Sequence, residues 1–254
     1  MSSEMKLEYK GLKVMMPVIA YGGMVHAHYM TGMLGLVHNC AIRGMDVKCP
    51  LIYYESLISR ARNASAAAAL HEESDYLLFI DTDVIFSPKD FFKLLDADKD
   101  VCVGLYPKKY ISNAKLSYLF KKYSELPSHW KTLVGDLSSE LNPNQTDKII
   151  EVSYAATGFM LIKTSVFKEI SRQRPEIKYV NDIDGYMAWG DNFYDFFRCW
   201  VNPDSKKYES EDYGFCKVWQ ECGGRIHAIP EINLSHRGNF EFQGNYQEQL
   251  KCFS

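Results

Sequence analysis

Apolar and polar positions along this chain alternate between strand-like and helix-like patterns. Leu12 to Ile19 is strand-like, Tyr21-Gly22-Gly23 is a turn, Val25 to Arg43 has the length of a helix, and Asp46 to Tyr53 returns to strand. That is a βαβ opening. Ser59 to Glu73, with its Ala-rich centre Ala66 to Ala69, predicts a second helix that runs into a buried strand, Tyr76 to Ile80. Ser87-Pro88 starts a third helix through Leu95, and Asp100 to Leu105 is a further strand. Strands alternating with helices predict an α/β protein of three layers, α/β/α, around a mainly parallel sheet.

Beyond Tyr106 the rhythm fades. Residues 106–148 collect Lys108, Lys109, Lys115, Lys121, Lys122 and Lys131 and read as a Lys-rich insertion or flexible loop. Ile149 to Ala155, a Thr157-Gly158 turn, the apolar Phe159 to Ile162 and a helix near Ser165 to Ser171 follow. An aromatic stretch, Tyr186 to Trp200, precedes a helix that begins near Ser210 and closes at Gly223-Gly224. Two short strands, about Arg225 to Ile229 and Ile232 to Ser235, then deliver His236.

Composition leaves this picture unchanged. With 254 residues, 46% hydrophobic, 24% charged and a net charge of −3, the chain reads as one globular domain over 1–254, and nothing in those values demands nucleic acid or a membrane. Seven Cys without a Cys-x-x-Cys pair indicate neither a disulfide framework nor a zinc site, which fits a reducing cytoplasm. Met1 to Lys6 lacks the pattern of a secretory signal, the apolar runs are too short for a transmembrane segment, and no obligate protein partner is evident.

The chemistry concentrates in three places. The Tyr76 to Ile80 run ends abruptly in Asp81-Thr82-Asp83, two carboxylates that a turn at a strand's end can converge on one hard divalent cation; solvated turn and capping roles are the alternative. Ser210-Glu211-Asp212 opens a helix whose dipole keeps a carboxylate ionised and available as a base, though Ser210 with two acids is also an ordinary N-cap. His236 at a strand end is either a metal ligand or a hydrogen-bonded structural residue. Arg60 and Arg62 oppose the dipole of the helix they open; a bound diphosphate would compensate them, as would pairing with Glu55.

In this order the residues resemble the metal-dependent glycosyltransferases of the GT-A fold, especially the short forms of bacteriophages and large viruses. The resemblance covers most of the chain and rests on Pro17 to Gly23, Leu57 to Asn63, Phe79 to Asp83, Val103 to Lys109, Thr157 to Met160, Ser210 to Tyr213 and Leu234 to Gly238. It implies a GT-A-like domain with a C-terminal acceptor-side elaboration. Residues 1–105 would form the nucleotide-sugar-binding half and 149–254 the acceptor and catalytic half. It further implies Mn2+ or Mg2+ held by Asp81, Asp83 and His236, with Asp83 the more usual direct ligand. Ala20, Tyr21, Arg60, Arg62, Asp81, Thr157 and Gly158 would form the donor site for a nucleotide sugar, commonly a UDP-sugar, and Asp212 would be the base of an inverting transfer. The implied acceptor is a glycan or a hydroxymethylated base in viral DNA, and the setting the host cytoplasm.

Two other classes compete. Phe79 to Val84 also fits the nucleophile motif of haloacid-dehalogenase-type phosphatases, with Asp81 as nucleophile, although there the motif ends the first core strand. A non-catalytic carbohydrate-binding module would use the aromatic stretch for stacking, but near-helical spacing favours core packing. The Lys-rich segment offers a phosphate-binding track if DNA is the acceptor and is otherwise a solvated loop.

Overall fold

A computed structural model of the chain describes residues 9–139, 141 and 147–253; the N-terminal Met1 to Lys6 lies outside them. Where one strand is expected at the start there are two, β1 (Lys13–Met15) and β2 (Val18–Ala20), divided at Pro17. Helix α1 (Ala27–Ile42) follows, then β3 (Asp46–Lys48) and β4 (Leu51–Tyr53), divided again at Pro50. Proline has no N–H to give a ladder, so both runs break. β1 pairs with β3 and β2 with β4, both parallel, in one continued register, while the second pair forms a small sheet of its own.

Helix α2 (Ile58–His71) leads into β5 (Tyr76–Ile80), and a two-residue strand, β6 (Val84–Ile85), lies just past the Asp pair. Helix α3 (Pro88–Asp96) begins as predicted with Ser87 and Asp90 in a reciprocal capping box, and β7 (Val101–Leu105) follows. The Lys-rich middle departs from the loop expectation: it contains α4 (Asn113–Lys122) and α5 (Trp130–Leu133). The reason is a small satellite core of Leu119, Leu133, Val134 and Cys252. Two of the lysines reinforce it, Lys115 reaching Asp136 at 2.9 Å and Gln249 at 3.0 Å, and Lys122 the Cys252 carbonyl at 2.6 Å. Residues 140 and 142–146 of that segment lie outside the described residues.

The second half runs through β8 (Ile150–Val152), β9 (Phe159–Lys163), α6 (Thr164–Gln173), the hairpin β10 (Trp200–Val201) and β11 (Tyr208–Glu209), and α7 (Glu211–Glu221). A single strand, β12 (Ile226–Asn233), replaces the two expected, its pairing shifting between Ile229 and Asn233 where Pro230 falls. β13 (Ser235–Arg237), β14 (Glu241–Gln243) and α8 (Tyr246–Phe253) complete the chain. The aromatic stretch forms a 3-10 turn, Asp184–Trp189, and then core: Phe193, Phe196 and Phe197 are buried, with Phe197 stacked on Phe215.

The main sheet has the order β3-β1-β5-β9-β7-β12-β8. Five of its seven strands run one way, with β9 and the edge strand β8 against them. Alternate residues of β5 face two cores. Leu77 and Phe79 pack with α2, α6 and α7 on one side, and Leu78 and Ile80 with α1 and α3 on the other. The expected three-layer α/β/α arrangement is therefore present, with a mainly parallel sheet. Because β9 is antiparallel to β5, the residues that start β9 lie beside those that end β5.

Candidate active site

β5 stops at Ile80, and Asp81-Thr82-Asp83 turns out of the sheet, closed by the Val84 N–H donating to the Asp81 carbonyl at 2.9 Å. The Asp81 N–H donates to the Gly158 carbonyl at 3.0 Å, at the start of β9. β13 pairs with β6, setting His236 opposite Val84, and this register brings His236 against Asp83 although 153 residues separate them. His236 Nδ1 lies 3.0 Å from the Pro107 carbonyl, which can only accept, so Nδ1 carries a proton and Nε2 faces the Asp83 carboxylate at 3.2 Å. Lys109 pairs with the other Asp83 oxygen. Partial burial would raise the Asp83 carboxyl, but the hydrogen bonds from His236 and Lys109 outweigh it and hold it at about 2.

Arg62 projects from the first turns of α2 and is only 5% exposed. It lies 3.4 Å from Asp81 and 3.5 Å from Glu211, while its Nε and Nη1 are buried with no partner among the described residues. An unpartnered buried guanidinium N–H is unfavourable, so these donors suit a ligand or water. Asp81 keeps 37% of its side-chain surface open, yet its surroundings still push its carboxyl up by burial, opposed by Arg62; the same two causes act on Glu211. Together with Ile19, Tyr21 and Glu55, the residues Arg62, Asp81 and Asp83 line a cleft of about 290 Å³ at the edge of the sheet. That is where ligands bind on open α/β sheets.

Asp212 sits in the first turn of α7, accepting from the Tyr213 N–H at 2.8 Å and from the Ser210 hydroxyl. Its neighbour Glu211 lies 3.5 Å from Arg62, so the head of α7 stands at the same edge. Gly158 forms the floor beside Asp81: a Cβ there would lie 2.9 Å from Asp81 Oδ2 and 2.3 Å from the Tyr106 hydroxyl. Thr157 is buried, its hydroxyl without a partner among the described residues.

Two expected donor residues stand apart. Arg60 makes a two-point pair with Glu55, both contacts at 2.8 Å, which is the compensation its place near the helix start requires. Ala20 is buried, and its neighbours Ile19 and Tyr21 line the cleft in its place. Sequence reasoning gave no role to Lys109 or Tyr106, and it named Glu211 only beside Asp212 and Glu55 only as a partner for the arginines. The signal for Lys109 was its position just past the carboxyl end of β7, and for Glu211 its adjacency to Asp212.

Among the described residues, no three His, Cys, Asp or Glu side chains converge as a preformed metal cage. The donor set that does fit a hard cation is the pair Asp83 and His236. The Pro107 carbonyl fixes the imidazole so that Nε2 is the ring nitrogen turned to Asp83, the arrangement in which outer hydrogen bonds orient metal-binding histidines. Imidazole in the set favours Mn2+ over Mg2+, and either ion takes its remaining ligands from water and phosphate. Asp81 is engaged by Arg62 instead.

No family model matches this sequence, and neither does any curated protein. Among solved structures the chain is similar to S. aureus TarS 1-349, at 14% identity over 87% of this chain and 58% of that one, TM-score 0.39. TarS has also been solved with UDP, TM-score 0.37. It is similar too to GalNAc-T7 with UDP, GalNAc and Mn2+, at 12% identity over 89% of this chain and 44% of that one, TM-score 0.45. A synthase, 4-diphosphocytidyl-2C-methyl-D-erythritolsynthase from Anaerococcus prevotii, aligns at 11% identity over 69% of this chain and 82% of that one, TM-score 0.35. The chain spans about half the length of the TarS and GalNAc-T7 chains. Likeness this distant assigns no residue a role.

Proposed function

We propose that this protein is a glycosyltransferase that moves a sugar from a nucleotide sugar, a UDP-sugar being the first candidate, to an acceptor hydroxyl with help from Mn2+ or Mg2+. The observation that carries the reading is the Asp83 and His236 pair at the carboxyl edge of the sheet, beside Asp81, whose partner Arg62 also reaches Glu211, the neighbour of Asp212, at 3.5 Å. Asp83 and His236 are the residues that would hold the ion, and when bound it would act as a Lewis acid on the departing diphosphate.

The chain's own residues supply the rest. The free Nε and Nη1 of Arg62 are donors for phosphate oxygens, preorganised because the guanidinium is already buried between two carboxylates. Gly158, whose lack of a side chain leaves room for the Tyr106 hydroxyl and Asp81, lets the Asp turn pack closely against the start of β9. Asp212 takes the proton of the acceptor hydroxyl as its oxygen bonds to the anomeric carbon. The bond from that carbon to the diphosphate breaks, its electron pair leaves on the diphosphate oxygen, and configuration inverts.

The test is a panel of nucleotide sugars with Mn2+, reading nucleoside diphosphate release with and without glycan and hydroxymethylated-DNA acceptors. Release that needs donor, metal and acceptor together supports the reading. Inorganic phosphate from a simple phosphoester, with no nucleotide-sugar turnover, would establish the phosphatase chemistry of Asp81 instead.

A further inference from the structure

A second pocket is larger than the cleft that holds the Asp pair: about 490 Å³ against about 290 Å³. Its walls come from the β10–β11 hairpin, the start of α7 and the segment after β7. Two of its lining residues adjoin the proposed site in sequence. Lys108 precedes Lys109, which pairs with Asp83, and Tyr213 follows Asp212. A ligand filling it would therefore lie against the segments that carry Lys109 and Asp212.

The chemistry of the lining is unlike that of the first cleft. Tyr154 and Tyr213 stack at 5.0 Å between centroids and 28° between planes, presenting aromatic surface of the kind that receives sugar rings. Lys108 and Lys207 are exposed, and neither has a carboxylate within ion-pair distance among the described residues. The one acid in the lining, Glu209, is buried and accepts from Asn202 at 3.2 Å. Asn202 also closes the hairpin by accepting from the Asp204 and Ser205 N–H groups, both at 3.0 Å, so the wall bearing Lys207 is internally braced. With Lys108 and Lys207 against the single carboxylate of Glu209, the lining carries a net positive charge in a chain of net charge −3, which favours an anion.

We infer that this pocket binds the acceptor, and that the acceptor is a sugar chain bearing an anionic group, phosphate or carboxylate, held by Lys207 and Lys108. The inference rests on the transferase reading for the word acceptor, while the pocket's preference for anionic glycans stands on its own lining. It favours a glycan over duplex DNA. The cations sit inside one concavity, and of the helix lysines that would extend a track along the surface Lys115 and Lys122 are bonded within the fold, which leaves Lys121 exposed.

Binding to an array of neutral, carboxylated and phosphorylated oligosaccharides, with hydroxymethylated duplex DNA alongside, tests it on the full chain. The wild type is expected to bind at least one anionic class about tenfold or more tighter than its neutral parent, and K207M to lose that preference while binding the neutral parent unchanged. K207R should retain most of it, which a merely structural lysine would not require. The phosphorylated and carboxylated arms identify the anion. Equal binding of neutral and anionic chains, a K207M loss common to both, preference for the duplex, or no glycan bound at all overturns the inference. UDP titration with Mn2+ on the same samples is independent: its failure removes the donor reading and leaves the pocket's selectivity standing.

Discussion

Gly158 is the position where the smallest change should have the largest double effect. A Cβ at residue 158 would lie 2.3 Å from the Tyr106 hydroxyl, 2.6 Å from its ring carbon Cζ and 2.9 Å from Asp81 Oδ2. Ordinary carbon contacts need about 3.5 Å, so Tyr106 would have to retreat by about 1 Å. It has little room, being 4% exposed, with its ring edge-on to His236 at 5.2 Å. Overpacking of this kind costs about 1–3 kcal/mol, and each kcal/mol lowers Tm by roughly 2–4 °C in a chain of this size. Moving Tyr106 also moves the wall behind His236, and a displacement of about 1 Å in a positioned group can cost on the order of 100-fold in function. The assay is urea denaturation of Gly158→Ala beside Mn2+-dependent UDP titration. Gly185→Ala is the control, since nothing lies within 4 Å of a Cβ there, and its effect should stay within about 0.5 kcal/mol. If Gly158→Ala denatures with the wild type to within that margin, the close approach of β9 to the Asp turn is wrong.

Three further outcomes follow from the same geometry. Asp83→Asn, which removes the carboxylate shared by His236 and Lys109, should weaken Mn2+-dependent UDP binding at least by the roughly 10- to 100-fold lost when a group supporting a metal ligand is removed, read by calorimetry; affinity unchanged with metal would take Asp83 out of the ligand set. Asp212→Asn should abolish transfer while leaving nucleotide-sugar binding nearly intact, and a fully active variant would remove Asp212 from the base role. Glu55, despite the desolvation that opposes ionisation, is held below the usual carboxylate range by Arg60, the Leu57 N–H and Tyr186. Its stabilisation is therefore present above the unfolded carboxylate pKa and lost as pH falls through the folded one. Glu55→Gln should be less stable than wild type at pH 7, by about 1–3 kcal/mol, with the gap closing in acid; a gap that widens in acid would contradict the sign.

Much of the fold was legible because its signals are local. β5 spans Tyr76–Ile80 as read, and α3 starts at Ser87 and Pro88 because a capping box and a proline at the first turn are written in adjacent residues. The errors share one cause, packing between segments distant in sequence. α4 forms because Leu119 meets Cys252, a contact no local pattern announces. β13 is likewise defined by its partner β6, whereas the aromatic stretch packs as core, as its spacing predicts.

The candidate site divides in the same way. Taken alone, the sequence determined the parts: an apolar strand ending in Asp81 and Asp83, acids at the head of a helix, and a histidine at a strand end, each set by local propensity and charge. Only the tertiary structure decided their partners. It gave Arg60 to Glu55, Arg62 to both Asp81 and Glu211, and Asp83 to His236 and Lys109. Strand register and side-chain reach settle such choices, and both exist only once segments 153 residues apart have been brought together.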